Sequence, residues 1–118
     1  MNVRELLRWQ WNGYPRYHRS RQNLLIHIVM VPLFWSGNVG LMIALVEQSA
    51  LLGILALAAI VASVALQGRG HRQEQFPPEP FTNAANAVAR IFLEQWITFL
   101  RFVMSGGWLR AWRASSWP

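Results

Sequence analysis

Three histidines, His18, His27 and His71, are the side chains of this chain best suited to bind a metal ion. Imidazole nitrogen binds iron, zinc and manganese, and the absence of cysteine excludes thiolate sites. His27 lies just inside a long apolar stretch, where an ionisable group costs free energy and therefore indicates a functional site. His18 precedes that stretch and His71 follows the next one. The three imidazoles can therefore meet if both stretches return to the same side of a membrane.

His18 and His27 cannot both reach one metal ion from a single continuous helix. Their spacing of nine residues, at about 100° per residue, places them on opposite helix faces. Ser20 is a good N-cap, so a helix that begins near Arg21 leaves His18 in a preceding turn. Asn23, four residues before His27 on the same face, is positioned to hydrogen-bond its ring and fix the tautomer.

Two glutamates are candidate supporting groups. Glu74 follows His71 by three residues, and Glu94 lies on the polar face of a later helix. The alternative for each is an exposed ion pair, with Arg72 or Arg90 respectively. The histidines also have a structural interpretation. His18 would then be an ordinary interfacial residue, His71 a solvated loop residue, and His27 a hydrogen-bonding partner between two helices. A zinc hydrolase of the HExxH type is excluded, because that pairing does not occur in the chain.

The composition indicates a membrane protein. Hydrophobic residues make up 53% of the chain and charged residues 14%, whereas soluble domains carry roughly 25% charged residues. The eleven arginines give a net charge of +6, but they lie at the ends of segments and not along one helix face. This distribution favours contact with anionic lipid headgroups over binding to nucleic acid.

Two apolar runs, residues 23–46 and 49–66, are each close to the roughly 20 residues that cross a bilayer. No arginine or lysine occurs from residue 22 to residue 68, and Glu47 is the one charged residue there. The positive-inside rule then places both termini in the cytoplasm. A cleavable signal peptide is not expected, because no apolar run begins before residue 23.

The predicted fold is a single all-α membrane domain over residues 1–118. A two-span hairpin is joined by a long amphipathic or re-entrant third helix and by short interfacial helices at both ends. Asn2 and Glu5 form a capping box for the first helix, which Tyr14 and Pro15 should end. The predicted segments are an interfacial helix (1–13), two spans (20–46 and 49–66), a His/Pro loop (67–82), an amphipathic helix (83–105) and a Trp/Arg tail (106–118).

Several of these residues occur in a pattern that resembles a known family. The pattern consists of Tyr17-His18, Asn23, His27, Pro32 and Gly70-His71, followed by Pro78-x-Pro80-Phe81, Arg90, Glu94-Gln95-Trp96 and Phe99-x-Arg101-Phe102. Over about residues 14–108 it resembles the small membrane proteins of the 2-hydroxy fatty acid dioxygenase family, in its bacterial branch.

The resemblance implies an enzyme that uses Fe²⁺ and O₂ to shorten a 2-hydroxy fatty acid by one carbon. It implies His18, His27 and His71 as the metal ligands. Asn23, Glu74 and Glu94 are expected to support them. Arg90 and Arg101, with Arg69 and Arg72 as further candidates, could hold the substrate carboxylate by paired hydrogen bonds.

The expected partners are therefore membrane lipid or a 2-hydroxy fatty acid, together with O₂, and not nucleic acid. The sequence also leaves a homo-oligomer open. The alternative function is a non-enzymatic lipid-binding or assembly protein with structural histidines.

Overall fold

The computed structural model describes residues 1–117. All regular secondary structure in these residues is helical, and no strand occurs there. The all-α prediction is confirmed for these residues. The helices are α1 (Val3–Tyr17), α2 (Arg21–Glu47), α3 (Ala50–His71), α4 (Ala84–Leu93), a π-helical segment (Glu94–Thr98), α5 (Phe99–Met104) and α6 (Gly107–Ala114).

Helices α2 and α3 form a hairpin that begins and turns where the sequence predicts. The Ser20 side chain accepts a hydrogen bond from the Asn23 amide and caps α2, as expected. Gln48 turns the chain in a left-handed conformation (φ 54°) before α3. The two helices pack closely at Gly37, where an added Cβ would lie 2.9 Å from the Ala56 carbonyl oxygen.

Both hairpin helices are long and apolar enough to cross a membrane. In their most apolar 18-residue windows only 22% of residues in α2 and 17% in α3 are buried, whereas the core helix of a soluble protein is mostly buried. Large apolar side chains such as Met42, Val46 and Leu51 are exposed. This surface is suited to contact with lipid.

The prediction that α1 ends at residue 13 is wrong. The Asn2–Glu5 capping box forms, but the helix continues through Pro15 to Tyr17. Proline lacks the N–H that would bond the Trp11 carbonyl, four residues before, and its ring crowds that carbonyl, so it weakens the last turn of α1. The stacking of Tyr14 on His18, with ring centroids 3.7 Å apart, stabilises the chain beyond it. Because of this extension, His18 becomes the residue that ends α1.

The prediction of a loop over residues 67–82 is wrong at its start, since α3 continues past Leu66 to His71. Gly68 and Gly70 remain helical because glycine weakens a helix by only about 1 kcal/mol. Gly70 is also needed for packing. An added Cβ there would overlap the side-chain amide oxygen of Asn23 on α2. His71 is thus held by a helix and not by a loop.

The predicted helix over residues 83–105 is helical throughout residues 84–104 but changes type in the middle. Asn83 caps it by accepting from the Asn86 amide at 2.8 Å, and Gly106 (φ 82°) follows its end. The Phe99 N–H bonds to the Glu94 carbonyl, five residues back, which defines the π-helical segment. Within the predicted tail, residues 107–114 form α6, and Pro118 lies outside the described residues.

Candidate metal centre

The structure brings the three imidazoles together. The ring centroids of His18, His27 and His71 lie 4.8–4.9 Å from one another in all three pairs. Glu94 completes the group, and one donor atom from each of the four residues lies within 4.8 Å of the other three. Donor atoms that each lie about 2 Å from one metal ion are at most about 4 Å apart, so a bound ion would draw these four side chains slightly closer together.

Four separate elements supply the four side chains. His18 ends α1, His27 lies in the second turn of α2 and His71 is the last residue of α3. Glu94 begins the π-helical segment. The imidazoles of His18 and His27 converge because residues 18–20 interrupt the helix between them. Their nine-residue spacing predicts such an interruption.

Backbone carbonyls fix the tautomers of two of the rings. The Nδ1 atom of His18 lies 2.8 Å from the Tyr14 carbonyl oxygen, and the Nδ1 atom of His27 lies 3.0 Å from that of Asn23. A carbonyl only accepts hydrogen bonds, so each Nδ1 carries the proton and each Nε2 presents a lone pair. Histidines that bind metals commonly use their second nitrogen in this way. Asn23 therefore makes the expected hydrogen bond to the His27 ring, and it does so through its backbone carbonyl.

Three buried imidazole nitrogens have no hydrogen-bond partner within the described residues: Nε2 of His18, Nε2 of His27 and Nδ1 of His71. Buried polar atoms are normally satisfied, so three such atoms in one cluster require an explanation. The Glu94 carboxylate oxygen Oε1 lies 3.6 Å from both Nε2 atoms. Lone pairs that face a carboxylate repel it unless a cation lies between them. The donor set of three nitrogens and one oxygen suits Fe²⁺, Zn²⁺ or Mn²⁺.

The electrostatics of His18 favour the form that binds metals. Burial lowers the pKa of its imidazole, outweighing the nearby Glu94 carboxylate, so the neutral ring predominates at neutral pH. Metal ligation requires this neutral ring, because a protonated imidazole has no free lone pair.

Tyr14 belongs to the site although it was not among the residues predicted for it. Its ring stacks on His18 with centroids 3.7 Å apart and an interplanar angle of 10°. Its hydroxyl donates to Glu94 Oε1 at 3.1 Å. Burial, together with the Glu94 charge, raises the pKa of Tyr14, so the phenol stays protonated and able to donate. The spacing of four residues between Tyr14 and His18 would have indicated this pair if α1 had been extended past Pro15.

Glu74 supports the site indirectly. Its carboxylate accepts from the backbone amides of Arg19 and Ser20 at about 3.0 Å and from Asn23 Nδ2 at 2.7 Å. A carboxylate at this position caps the N-terminus of α2 and ties the segment after α3 to the turn that carries His18. The ion pairs with Arg72 and Arg90, left open by the sequence, do not occur among the described residues.

The two arginines expected to clamp a carboxylate make other contacts. The Arg90 guanidinium donates to the backbone carbonyls of Pro80 and Glu79 at 3.0 and 2.8 Å. It thereby holds the proline-rich loop against α4. The Arg101 guanidinium lies over the Trp11 ring, 3.9 Å from the centroid. Arg90 lines the cavity described next, and Arg101 does not.

A cavity of about 580 Å³ adjoins the cluster. Tyr14, His18, His71 and Glu94 line it, whereas His27 does not, so the cluster presents one side to the cavity. The apolar and aromatic part of the remaining wall includes Trp9, Val64, Pro77, Pro78, Phe81 and Ile91. Its charged residues are Arg16, Arg72, Glu79 and Arg90. The volume lies within the roughly 300–1,000 Å³ that is typical of small-molecule sites.

A buried amide pair lies beside the centre and was not predicted. Gln67 and Gln95 exchange two side-chain hydrogen bonds, at 2.9 and 2.7 Å. Trp35 Nε1 donates to the Gln95 backbone carbonyl at 2.8 Å, and Gln67 also donates to Ser63. These contacts link α2, α3 and the π-helical segment. Each residue is next to, or one turn from, a member of the cluster, so the pair fixes the register of the elements that carry it.

Comparison of the chain with protein-family models, with curated proteins and with solved structures finds no match.

Proposed function

We propose that this protein is a membrane-bound, iron(II)-dependent dioxygenase that shortens 2-hydroxy fatty acids by one carbon. The observation that carries the proposal is the cluster of three buried imidazole nitrogens without hydrogen-bond partners beside Glu94. The adjoining cavity, whose wall is mostly apolar, supports an acyl chain as the ligand. The choice of iron and of the 2-hydroxy acid rests on the sequence resemblance.

His18, His27, His71 and Glu94 would hold the ion. Iron(II) held there would supply the redox chemistry with O₂ that the reaction needs. The overall reaction breaks the bond between C1 and C2 of the substrate. With O₂ as the four-electron oxidant, the products are the acid one carbon shorter, CO₂ and water, which balances atoms and electrons.

The chain's own residues hold this arrangement in place. The carbonyls of Tyr14 and Asn23 keep the Nδ1 protons of His18 and His27, so both Nε2 lone pairs stay directed at the centre. The Tyr14 hydroxyl holds the Glu94 carboxylate by a hydrogen bond. The aromatic and proline side chains of the cavity wall would exclude water from an acyl chain bound there.

The proposed location is a bacterial inner membrane with both termini in the cytoplasm. The arginine-free hairpin and the arginines on both flanks support this orientation. The cluster then lies where α2 enters and α3 leaves the bilayer. A fatty acid in the cytoplasmic leaflet could therefore reach the cavity with its carboxyl end at the level of the headgroups.

Metal analysis of the protein purified without oxygen tests the site. We expect close to one iron per chain in the parent protein and a large loss of iron in His18→Ala, His27→Ala and His71→Ala. Glu47→Gln is the matched control, because Glu47 is exposed at the far end of the hairpin and should leave the metal content unchanged. Full retention of metal in any one histidine variant would remove that residue from the site.

Turnover tests the reaction. The iron-loaded protein should consume O₂ with a 2-hydroxy fatty acid and release the acid one carbon shorter, but it should not act on the unhydroxylated acid. Stoichiometric metal without turnover would favour the alternative, a non-enzymatic membrane protein with a structural metal site. A parent protein that binds no metal would refute the proposal.

A further inference from the structure

The arginines of this chain carry positive charge that the protein itself does not neutralise. The sequence has eleven arginines and five glutamates. Within residues 1–117, Glu94 is the carboxylate that lies within 4.0 Å of basic side chains, and those side chains are His18 and His27. No arginine in this part of the chain makes an ion pair with a carboxylate. Glu5 and Glu74 are used for capping helices. The positive charge is therefore available to anions outside the chain.

Two of these arginines line a second cavity, of about 380 Å³, between the end of α1 and the α5–α6 turn. We call this cavity the α1–α6 groove. Arg19 and Arg110 are its charged residues, and no acidic residue lines it. Its apolar wall consists of Trp11, Pro15, Phe102, Ala111 and Ala114. The groove thus combines a cationic part with an apolar part, and it shares no lining residue with the cavity of the metal centre.

Both guanidinium groups retain hydrogen-bond donors. Arg110 Nη1 donates one bond, to the Ser105 carbonyl oxygen at 3.2 Å, and both arginines are exposed. The Arg19 guanidinium lies 5.8 Å from the centroid of the Phe76 ring, a distant contact that uses none of its N–H groups. A guanidinium presents its donors in a planar fork that matches two oxygens of a phosphate.

The groove lies at the level expected for lipid headgroups. Helix α6, which forms one wall, is tied to the first turns of α2 because Trp108 Nε1 donates to the Leu24 carbonyl at 3.0 Å. Trp112 stacks on Trp108 and lies under the Arg21 guanidinium, 4.3 Å from the ring centroid. Clustered tryptophan and arginine at the end of an apolar helix are typical of the interface between the bilayer and water.

We propose that the α1–α6 groove is a binding site for an anionic phospholipid. Arg19 and Arg110 would bind the phosphodiester, and an acyl chain would lie along the exposed apolar wall at Pro15 and Ala114. The apolar wall favours a lipid over a soluble phosphate, because a small anion would leave that surface exposed to water. This site is independent of the metal centre and of the reaction proposed for it.

Native mass spectrometry of the detergent-solubilised chain tests the proposal, with phosphatidylglycerol and phosphatidylcholine offered in equal amounts. We expect one phosphatidylglycerol retained in preference to phosphatidylcholine. Arg19→Gln with Arg110→Gln should reduce that preference about 25-fold, at roughly fivefold for each arginine near a membrane surface. Arg4→Gln with Arg8→Gln, on the exposed first turns of α1, is the matched control and should keep the preference.

Each alternative result overturns the proposal. A parent chain without preference for phosphatidylglycerol has no such site. A double variant of Arg19 and Arg110 that keeps the preference, while its helical circular dichroism and metal content match the parent, places the lipid elsewhere. Displacement of the lipid by equimolar inorganic phosphate would show that the groove recognises a soluble anion instead.

Discussion

Replacing Gly70 with alanine tests whether the packing of α3 on α2 holds the metal centre. Gly70 precedes His71, and an added Cβ would overlap the Asn23 amide oxygen and lie 3.2–3.3 Å from Asn23 Cγ and Ile26 Cδ1. The Asn23 side chain cannot move freely, because it donates to Glu74 at 2.7 Å. The added methyl group must therefore displace either α3 or Asn23.

The magnitude follows from comparison with Gly68→Ala in the same helix. Nothing lies within 4 Å of a Cβ added at Gly68, so that variant should gain about 1 kcal/mol from helix propensity. The same gain applies at Gly70, where the overlap should cost roughly 1–3 kcal/mol, the usual range for overpacking. We therefore expect Gly70→Ala to be less stable than Gly68→Ala by about 1–3 kcal/mol.

The effect should extend to the metal. A displaced Asn23 side chain loses its hydrogen bond to Glu74, the carboxylate that ties the segment after α3 to the turn that carries His18. Loss of such a supporting contact typically weakens metal binding by about 10–100-fold. Gly68→Ala should bind metal like the parent protein.

Two measurements check this prediction: the midpoint of unfolding by sodium dodecyl sulfate in mixed micelles, and the metal affinity from competition with a chromophoric chelator. Equal midpoints for the two alanine variants would refute the packing argument. A lower midpoint for Gly70→Ala with unchanged metal affinity would support the packing argument but refute the link from the Asn23 side chain through Glu74 to the metal centre.

Three further perturbations follow from the structure. Tyr14→Phe removes the hydrogen bond to Glu94 but keeps the stacked ring, so metal affinity in the chelator assay should fall about tenfold or more with little change in the unfolding midpoint. Gln67→Leu leaves the buried amide of Gln95 unpaired and should destabilise by about 1–3 kcal/mol. The double leucine variant should recover part of that loss in a double-mutant cycle. Burial lowers the pKa of His18 in the folded protein, so as the pH falls the imidazole is protonated in the unfolded chain before it is protonated in the folded one. The metal-free protein should therefore lose stability as the pH falls below about 6.5, which the unfolding midpoint measured against pH would show.

The hairpin and the meeting of the histidines could be predicted because they depend on local signals. The length of the two apolar runs and the absence of arginine between residues 22 and 68 indicate two helices whose outer ends lie on the same side of a membrane. Ser20 marks the start of the first, and the nine-residue spacing then requires His18 to lie in the preceding turn. Helix type and N-caps are encoded within a few residues, so these predictions did not require knowledge of the tertiary structure.

The boundaries at Pro15 and Gly68 could not be predicted, because tertiary contacts outweigh the local preference there. Gly70 remains helical against Asn23, and the residues after Pro15 are fixed by the stacking of Tyr14 on His18. Both predicted breaks were placed at residues that weaken a helix without forbidding it. The extra turn of α3 decides where His71 is, since a loop would not have fixed its ring.

The π-helical segment has no signal in the sequence, yet it explains how one short stretch serves two buried partners. In a regular α-helix, consecutive side chains point about 100° apart, so Glu94 and Gln95 would not both be expected on an interior face. In the structure Glu94 meets the histidines and Gln95 pairs with Gln67. The wider turn also leaves the Gln95 carbonyl to accept from Trp35 on α2. Segments of this kind often occur at functional sites. Here the π-helical turn carries both the candidate ligand Glu94 and Gln95, whose hydrogen bonds to Gln67 and Trp35 hold the helix in place.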